Sequence, residues 1–157
     1  MTGRSILFGL LLVVVPGFVW AIRPVDPVDT GAVGASRSVM IVSEWSRYKE
    51  RLIEAVLDEL DDGSTALYVR SFDDLPQIQA NDHDAVIVIN AGVGSEVRAP
   101  VVEWLGTQGG SENIVVLTTQ IYDWTPRIEV DSVTSASQNR NIPDVSRDLA
   151  RQARSYF

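Results

Sequence analysis

Hydrophobic positions along this chain come as short unbroken runs separated by segments of helical spacing. Ser38 to Val42 is a brief apolar run, and Ser46 to Leu60 then places Leu52, Ile53, Val56, Leu57 and Leu60 on one helical face. Ser43 or Ser46 can cap that helix, and Asp61-Asp62-Gly63 ends it with a turn. A second strand is expected over Ala66 to Ser71. Asp73 to Ala80 contains Pro76 and supports no more than a turn or two of helix. The clearest strand lies within Asp84 to Asn90, where the uninterrupted run Ala85-Val86-Ile87-Val88-Ile89 predicts burial on both faces. After Ala91-Gly92-Val93-Gly94-Ser95, a helix is expected through Val97, Val101, Val102, Trp104 and Leu105, stopped by Gly109-Gly110. Ile114 to Thr118 makes a fourth strand, and Ile142 to Tyr156 a terminal helix with Val145, Leu149 and Ala153 on one face.

Strands alternating with helices imply a parallel sheet with right-handed crossovers. The pattern fits an α/β, flavodoxin-like three-layer sandwich with a mainly parallel sheet of four strands in the order 2-1-3-4. The segment after the fourth strand departs from that plan. About seven residues separate Gln120 from Ile128, and a parallel crossover needs roughly a dozen. Ile128 to Val133 is therefore expected to be an antiparallel edge, or a loop beside the sheet. Either arrangement leaves Tyr122 to Ser137 near the carboxyl ends of the strands, where such sheets bind ligands.

The amino terminus reads differently. Arg4 precedes a run of about ten apolar residues, Ile6 to Val15, then Pro16-Gly17 and the small residue Ala21, the layout of an export signal cleaved after Ala21. Ser5 to Ile22 also makes 18 positions without a charge, near the lower limit for a membrane anchor. Both readings send the rest of the chain out of the cytoplasm, to the periplasm or to a membrane-anchored position. The expected organisation is a signal peptide or anchor over 1–21, a tether over 22–37 bearing Pro24, Pro27, Gly31 and Gly34, and one domain over 38–157. Membrane contact is expected only through the amino-terminal segment.

Charge narrows the partners. Loss of residues 1–21 removes Arg4 and no acid, so 13 basic side chains become 12 against 21 acids and the formal charge moves from −8 to −9. A nucleic-acid partner needs a basic face, and the basic residues here are dispersed among acids. With no cysteine the chain has no disulfide, thiolate metal site or cysteine nucleophile. The lone His83, in Asn81-Asp82-His83-Asp84, reads as a solvated turn residue at the amino end of a strand. It has no second histidine for a metal set and no Gly-x-Ser-x-Gly elbow for a hydrolase.

Candidate chemistry gathers in the loops at the carboxyl edge. Ser43-Glu44-Trp45-Ser46-Arg47-Tyr48-Lys49 follows the first strand, where a flavodoxin carries small hydroxyl residues and glycine around a flavin phosphate. Here there is no glycine, Trp45 and Tyr48 are bulky, and Glu44 would repel phosphate unless it turns away. Ser46, Arg47 and Lys49 could hold an anion; a capped helix with solvated charges accounts for the same residues. Gly92 and Gly94 would let a ligand approach the backbone or simply make a tight turn. Tyr122 and Trp124 follow the fourth strand, where flavodoxin aromatics stack on flavin.

Two resemblances rest on these residues. Ser46-Arg47-Tyr48-Lys49, Thr118-Thr119 and Val130 to Ser137 together resemble a family of uncharacterised exported bacterial proteins with flavodoxin-like folds, over about 120 residues. That resemblance implies no established reaction. Asp131, Thr134, Ala136 and Ser137, with Ser135 in place of glycine, are similar to the flavin-attachment motif of FMN-binding domains in membrane redox complexes. This second resemblance implies that a flavin transferase would link FMN phosphate to Ser137, with Asp131 helping to recognise or activate the site. An Asp-anchored turn capping the last helix accounts for the same residues.

The sequence therefore favours a binding or accessory module of the cell envelope over an enzyme. Its partner would be an envelope or redox protein, and its degenerate crevice would involve Ser46, Gly92, Gly94, Thr118, Thr119 and 131–137. The alternative is an FMN-carrying electron-transfer protein. A hydrolase ranks third, for want of a nucleophile–base pair.

Overall fold

The computed structural model describes residues 24–30, 34–92, 96–120, 128 and 130–157. The elements run β1 (Val28–Thr30), β2 (Arg37–Ser43), α1 (Arg47–Leu60), β3 (Thr65–Ser71), β4 (Ala85–Ala91), α2 (Ala99–Thr107), β5 (Ile114–Gln120), β6 (Asp131–Ala136) and α3 (Ile142–Arg154). Short 3-10 turns at Phe72–Gln77 and Ala80–Asp82 replace a helix between β3 and β4, where Pro76 interrupts the sequence. The strands form one sheet in the order β1-β3-β2-β4-β5-β6. The five strands from β2 to β6 pair in parallel, and β1 pairs antiparallel with β3. From β2 onward this is the 2-1-3-4-5 order of a flavodoxin-like sheet.

The sequence pattern explains the layers. Alternate positions of each strand face opposite sides of the sheet. Val39, Ile41, Ile87, Ile89, Val115 and Leu117 face α1 and α3, whereas Met40, Val42, Val86, Val88 and Val116 face α2 and the 3-10 turns. On α1 the inward stripe is Tyr48, Lys49, Leu52, Ile53, Val56 and Leu60, and on α3 it is Val145, Ser146, Leu149, Ala150 and Ala153. Each fully buried Leu, Ile or Val contributes roughly 1.5–3 kcal/mol relative to exposure. That makes β4, buried from Ala85 to Asn90 and flanked by strands on both sides, the spine of the fold. Gly109 and Gly110, at φ +65° and +80°, turn the chain out of α2 through a conformation that side-chain-bearing residues rarely adopt.

Four local expectations are corrected. The sheet has an antiparallel edge, but Val28–Thr30 supplies it, inside the Pro- and Gly-bearing stretch ahead of β2. Ile128 to Val133 is neither antiparallel nor wholly loop: a strand starts at Asp131 and pairs in parallel with β5, in the register Thr118↔Thr134 and Thr119↔Ser135. Ten positions, rather than about seven, separate the end of β5 at Gln120 from the start of β6 at Asp131. Ile128 and Val130 are apolar because they pack against the α2-side core. It follows that 131–137 is not a turn capping α3; that helix begins after Asn141, and no side chain caps it. His83 is half-buried against the Tyr68 ring, with centroids 5.8 Å apart, rather than solvated.

Among the described residues no helix is long and apolar enough to cross a membrane. The export or anchor segment, residues 1–23, lies outside them.

Candidate functional site

Strand order reverses between β2 and β4: the chain leaves β2 for β3 on one side and reaches β4 on the other. Loops leaving the carboxyl ends of these two strands diverge, and the gap between them is where doubly wound sheets accept ligands. Here the gap is bridged from within. Glu44, the first residue after β2, turns its carboxylate inward to receive Lys49 Nζ at 2.7 Å on Oε2 and Arg98 Nη1 on Oε1. Its backbone N–H donates to the Ile89 carbonyl of β4 at 3.4 Å, and the Ser43 hydroxyl donates to its carbonyl at 2.8 Å.

Each partner of Glu44 is positioned by its own element. Lys49 belongs to the first turn of α1 and is 4% exposed, between buried Tyr48 and Leu52. Burial pushes its ammonium below the usual lysine range, Glu44 opposes that shift, and the Arg98 charge adds to it. Arg98 immediately precedes α2, and its guanidinium lies over the Phe72 ring, 5.0 Å from the centroid. Removing one partner of a buried ion pair typically costs about 3–5 kcal/mol. Glu44 is therefore an integral part of the loop.

Ser46 is committed as well. Its extended backbone (φ −157°, ψ 159°) and its hydroxyl, which accepts the Lys49 N–H at 3.1 Å, make it the N-cap of α1. Beside it, burial raises the Tyr48 phenol above its ordinary pKa, with the Ser135 hydroxyl of β6 opposing the shift.

The remaining sequence candidates divide by position. Thr118 and Thr119 are buried at the carboxyl end of β5 and tied to fully buried Asn90 of β4. Asn90 Nδ2 donates to the Leu117 carbonyl at 3.0 Å and to Thr118 Oγ1 at 3.2 Å, and Thr119 Oγ1 donates to the Asn90 carbonyl at 3.2 Å. Gly92 lies just beyond β4, and a Cβ there would stand 2.1 Å from Gln120 Nε2. The room left by its missing side chain is therefore taken up by Gln120. Thr134 is half-buried beside Thr118, and Ser137 is exposed just past β6. Asp131 lies apart from these, at the amino end of β6, where it accepts the Tyr156 hydroxyl at 2.6 Å. It is roughly 20 Å along the strand from Ser137. Gly94, Tyr122 and Trp124 lie outside the described residues.

Glu44 as an ion-pair partner, Asn90 and Arg98 were not singled out by sequence reasoning. Asn90 carries a signal, as the polar residue closing an otherwise apolar strand; Arg98 carries none. A concavity of about 900 Å³ lies at the opposite end of the sheet, lined by Leu105, Gln108, Ile128 and Val130, with Glu112 and Asp131 as its charged residues. Its charge is the wrong sign for a phosphate, so size alone does not make it the ligand site. Among the described residues no three acidic or histidine side chains converge to hold a metal ion.

These positions bear directly on an FMN phosphate. The loop after β2 lacks glycine, its capping hydroxyl is engaged, and a carboxylate lies against the lysine and arginine that would meet the phosphate. The residues present do not fit that group.

No protein-family model matches the chain, and no curated protein matches it. Solved structures do match. A flavodoxin from the domain Archaea superposes with a TM-score of 0.53 at 8% identity, covering 76% of this chain and 98% of the flavodoxin. Flavodoxin 1 from Bacillus cereus gives 0.52 at 11% identity, covering 78% and 99%. The Flv1 flavodiiron core from Synechocystis sp. PCC6803 gives 0.50 at 9% identity over 79% of this chain, which spans only 36% of that protein. At such low identities the likeness lies in the fold, and the fold is flavodoxin-like.

Proposed function

We propose that this chain is a cell-envelope binding or accessory module whose flavodoxin-like cofactor crevice has become degenerate. The observation that carries the reading is the Glu44 carboxylate between Lys49 and Arg98. An anionic cofactor group entering there would displace an ion pair already built into the fold, and would meet like charge if Glu44 stayed. Gln120 packed over Gly92 supports the same reading at the second loop. The uncharged run from Ser5 to Ile22 supports delivery to the envelope, and the acidic balance of the chain argues against a nucleic-acid partner.

One observation favours a second reading, an FMN-carrying electron-transfer protein. Ser137 is exposed just beyond β6, where a modifying enzyme could reach its hydroxyl. Against this, Asp131 is a strand length away and bound to Tyr156.

Purification from the native host, followed by visible absorption and intact mass, tests the proposal. A colourless protein at its unmodified mass is expected. A yellow protein would overturn it, and loss of an added mass in Ser137→Ala would establish covalent attachment instead.

A further inference from the structure

We infer that the concavity at the amino end of the sheet is a binding site for an organic cation, a small amine with an apolar body. The inference goes beyond the reading of the carboxyl edge and does not depend on how that edge is filled. A volume of about 900 Å³ lies within the range of pockets that enclose small molecules. Leu105 of α2, Ile114 at the start of β5, and Ile128 and Val130 ahead of β6 line it. Val102 lines it too; at 49% exposure it is the one large apolar side chain left exposed among the described residues. Gly106 adds room. It lies within α2, outside the left-handed backbone region, and a Cβ there would meet nothing within 4 Å. Neither a turn nor packing therefore demands glycine at a helical position that favours alanine, and its missing side chain leaves space in the wall of the concavity.

Charge at the concavity has one sign. Among the described residues that line it, the charged ones are Glu112 and Asp131, with neither lysine nor arginine beside them. Glu112 is exposed in the turn between α2 and β5. Asp131 is held at the amino end of β6 by the Tyr156 hydroxyl, which donates to its Oδ2 at 2.6 Å. The carboxyl end of α2 adds the negative pole of the helix, since Leu105, Gly106 and Gln108 at that end line the same wall. An ammonium group thus meets complementary charge from both carboxylates and from the helix end, while its hydrocarbon part leaves water against Leu105, Ile114 and Val130. A neutral apolar molecule gains only the second contribution, and a carboxylate is repelled by the first. The sign that turns a phosphate away from this end of the sheet therefore selects a cation.

Naphthylmethylamine, naphthylmethanol and naphthoate share one apolar body and serve as probes, titrated calorimetrically into the full chain near neutral pH. The amine, cationic under these conditions, is expected to bind at least about fivefold more tightly than the alcohol, with naphthoate the weakest. Glu112→Gln should weaken the amine about twofold or more and leave the alcohol unchanged, and added salt should narrow the same gap. Gly106→Phe, which sets a ring into open space, should abolish binding of amine and alcohol alike. Val102→Lys, at an exposed position, places a like charge beside the amine and decides the location if Gly106→Phe does not fold. An amine that binds no more tightly than the alcohol would overturn the inference. So would a gain indifferent to Glu112→Gln, or amine binding that survives both Gly106→Phe and Val102→Lys undiminished. None of these results bears on flavin absorption, so their failure leaves the degenerate-crevice reading standing, and a yellow protein leaves this inference standing.

Discussion

Trp104 donates its indole N–H to the Ile78 carbonyl at 2.9 Å, joining α2 to the link of two 3-10 turns between β3 and β4. Gln108, one turn further on, accepts the Ala80 N–H at 2.8 Å through Oε1. Both side chains are buried, and together they satisfy backbone groups that a helix would otherwise have satisfied internally. Gln108→Ala leaves the Ala80 N–H buried without its partner and should cost about 1–3 kcal/mol. Urea denaturation measures this; a loss below about 0.5 kcal/mol would show that the link does not depend on the bond.

Gly92 and Gln120 occupy one another's space. Gly92→Ala would bring a methyl to 2.1 Å from Gln120 Nε2 and 2.6 Å from its Cγ and Cδ, so the glutamine must move. The expected cost is about 1–3 kcal/mol. Gln120→Ala relieves the clash, so the double variant should recover about 1 kcal/mol or more relative to the additive sum. A double-mutant cycle by thermal denaturation reads the coupling, and strict additivity would contradict the contact.

His83 gives the fold an acid-sensitive point. Burial holds its imidazole below the ordinary value of 6.5, with Asp82 and Asp84 opposing the shift and Arg70 adding to it. The unfolded chain therefore binds the proton more readily, and stability rises with pH across the interval between the folded value and 6.5. The stabilisation is complete above 6.5 and is lost as pH falls through the folded value. His83→Phe should flatten the pH dependence of the unfolding midpoint in the interval just below pH 6.5. An unchanged slope would show that the histidine does not control it.

The parts of this structure legible in the sequence are those in which one residue type serves one purpose. Ala85 to Ile89 is unbroken because both faces of β4 are covered, and Leu52, Ile53, Val56 and Leu60 repeat with the turn of α1. β6 escaped recognition because it borders only β5 and carries one large apolar residue, Val133, toward the core; its other positions are mostly hydroxyl-bearing. Ile128 and Val130 added to the ambiguity, being apolar for contact with the α2-side core rather than for strand pairing. β1 is three residues long, too short for a period to show. The site was legible only as a location. Ser46, Gly92, Thr118 and Thr119 do lie at the carboxyl edge, but what fills that edge depends on pairs separated by 54 residues for Glu44 and Arg98, and by 28 for Gly92 and Gln120. No local spacing encodes such pairs.

The crevice between β2 and β4 is closed from within by Glu44 and its two cations. Flavin fluorescence followed while the full wild-type chain is titrated into dilute FMN tests this most directly, because a flavin seated against protein aromatics loses its emission. Emission is expected to stay constant into the range of about 100 μM protein, corresponding to less than about 5–6 kcal/mol of binding free energy. Saturable quenching at a one-to-one ratio would contradict it.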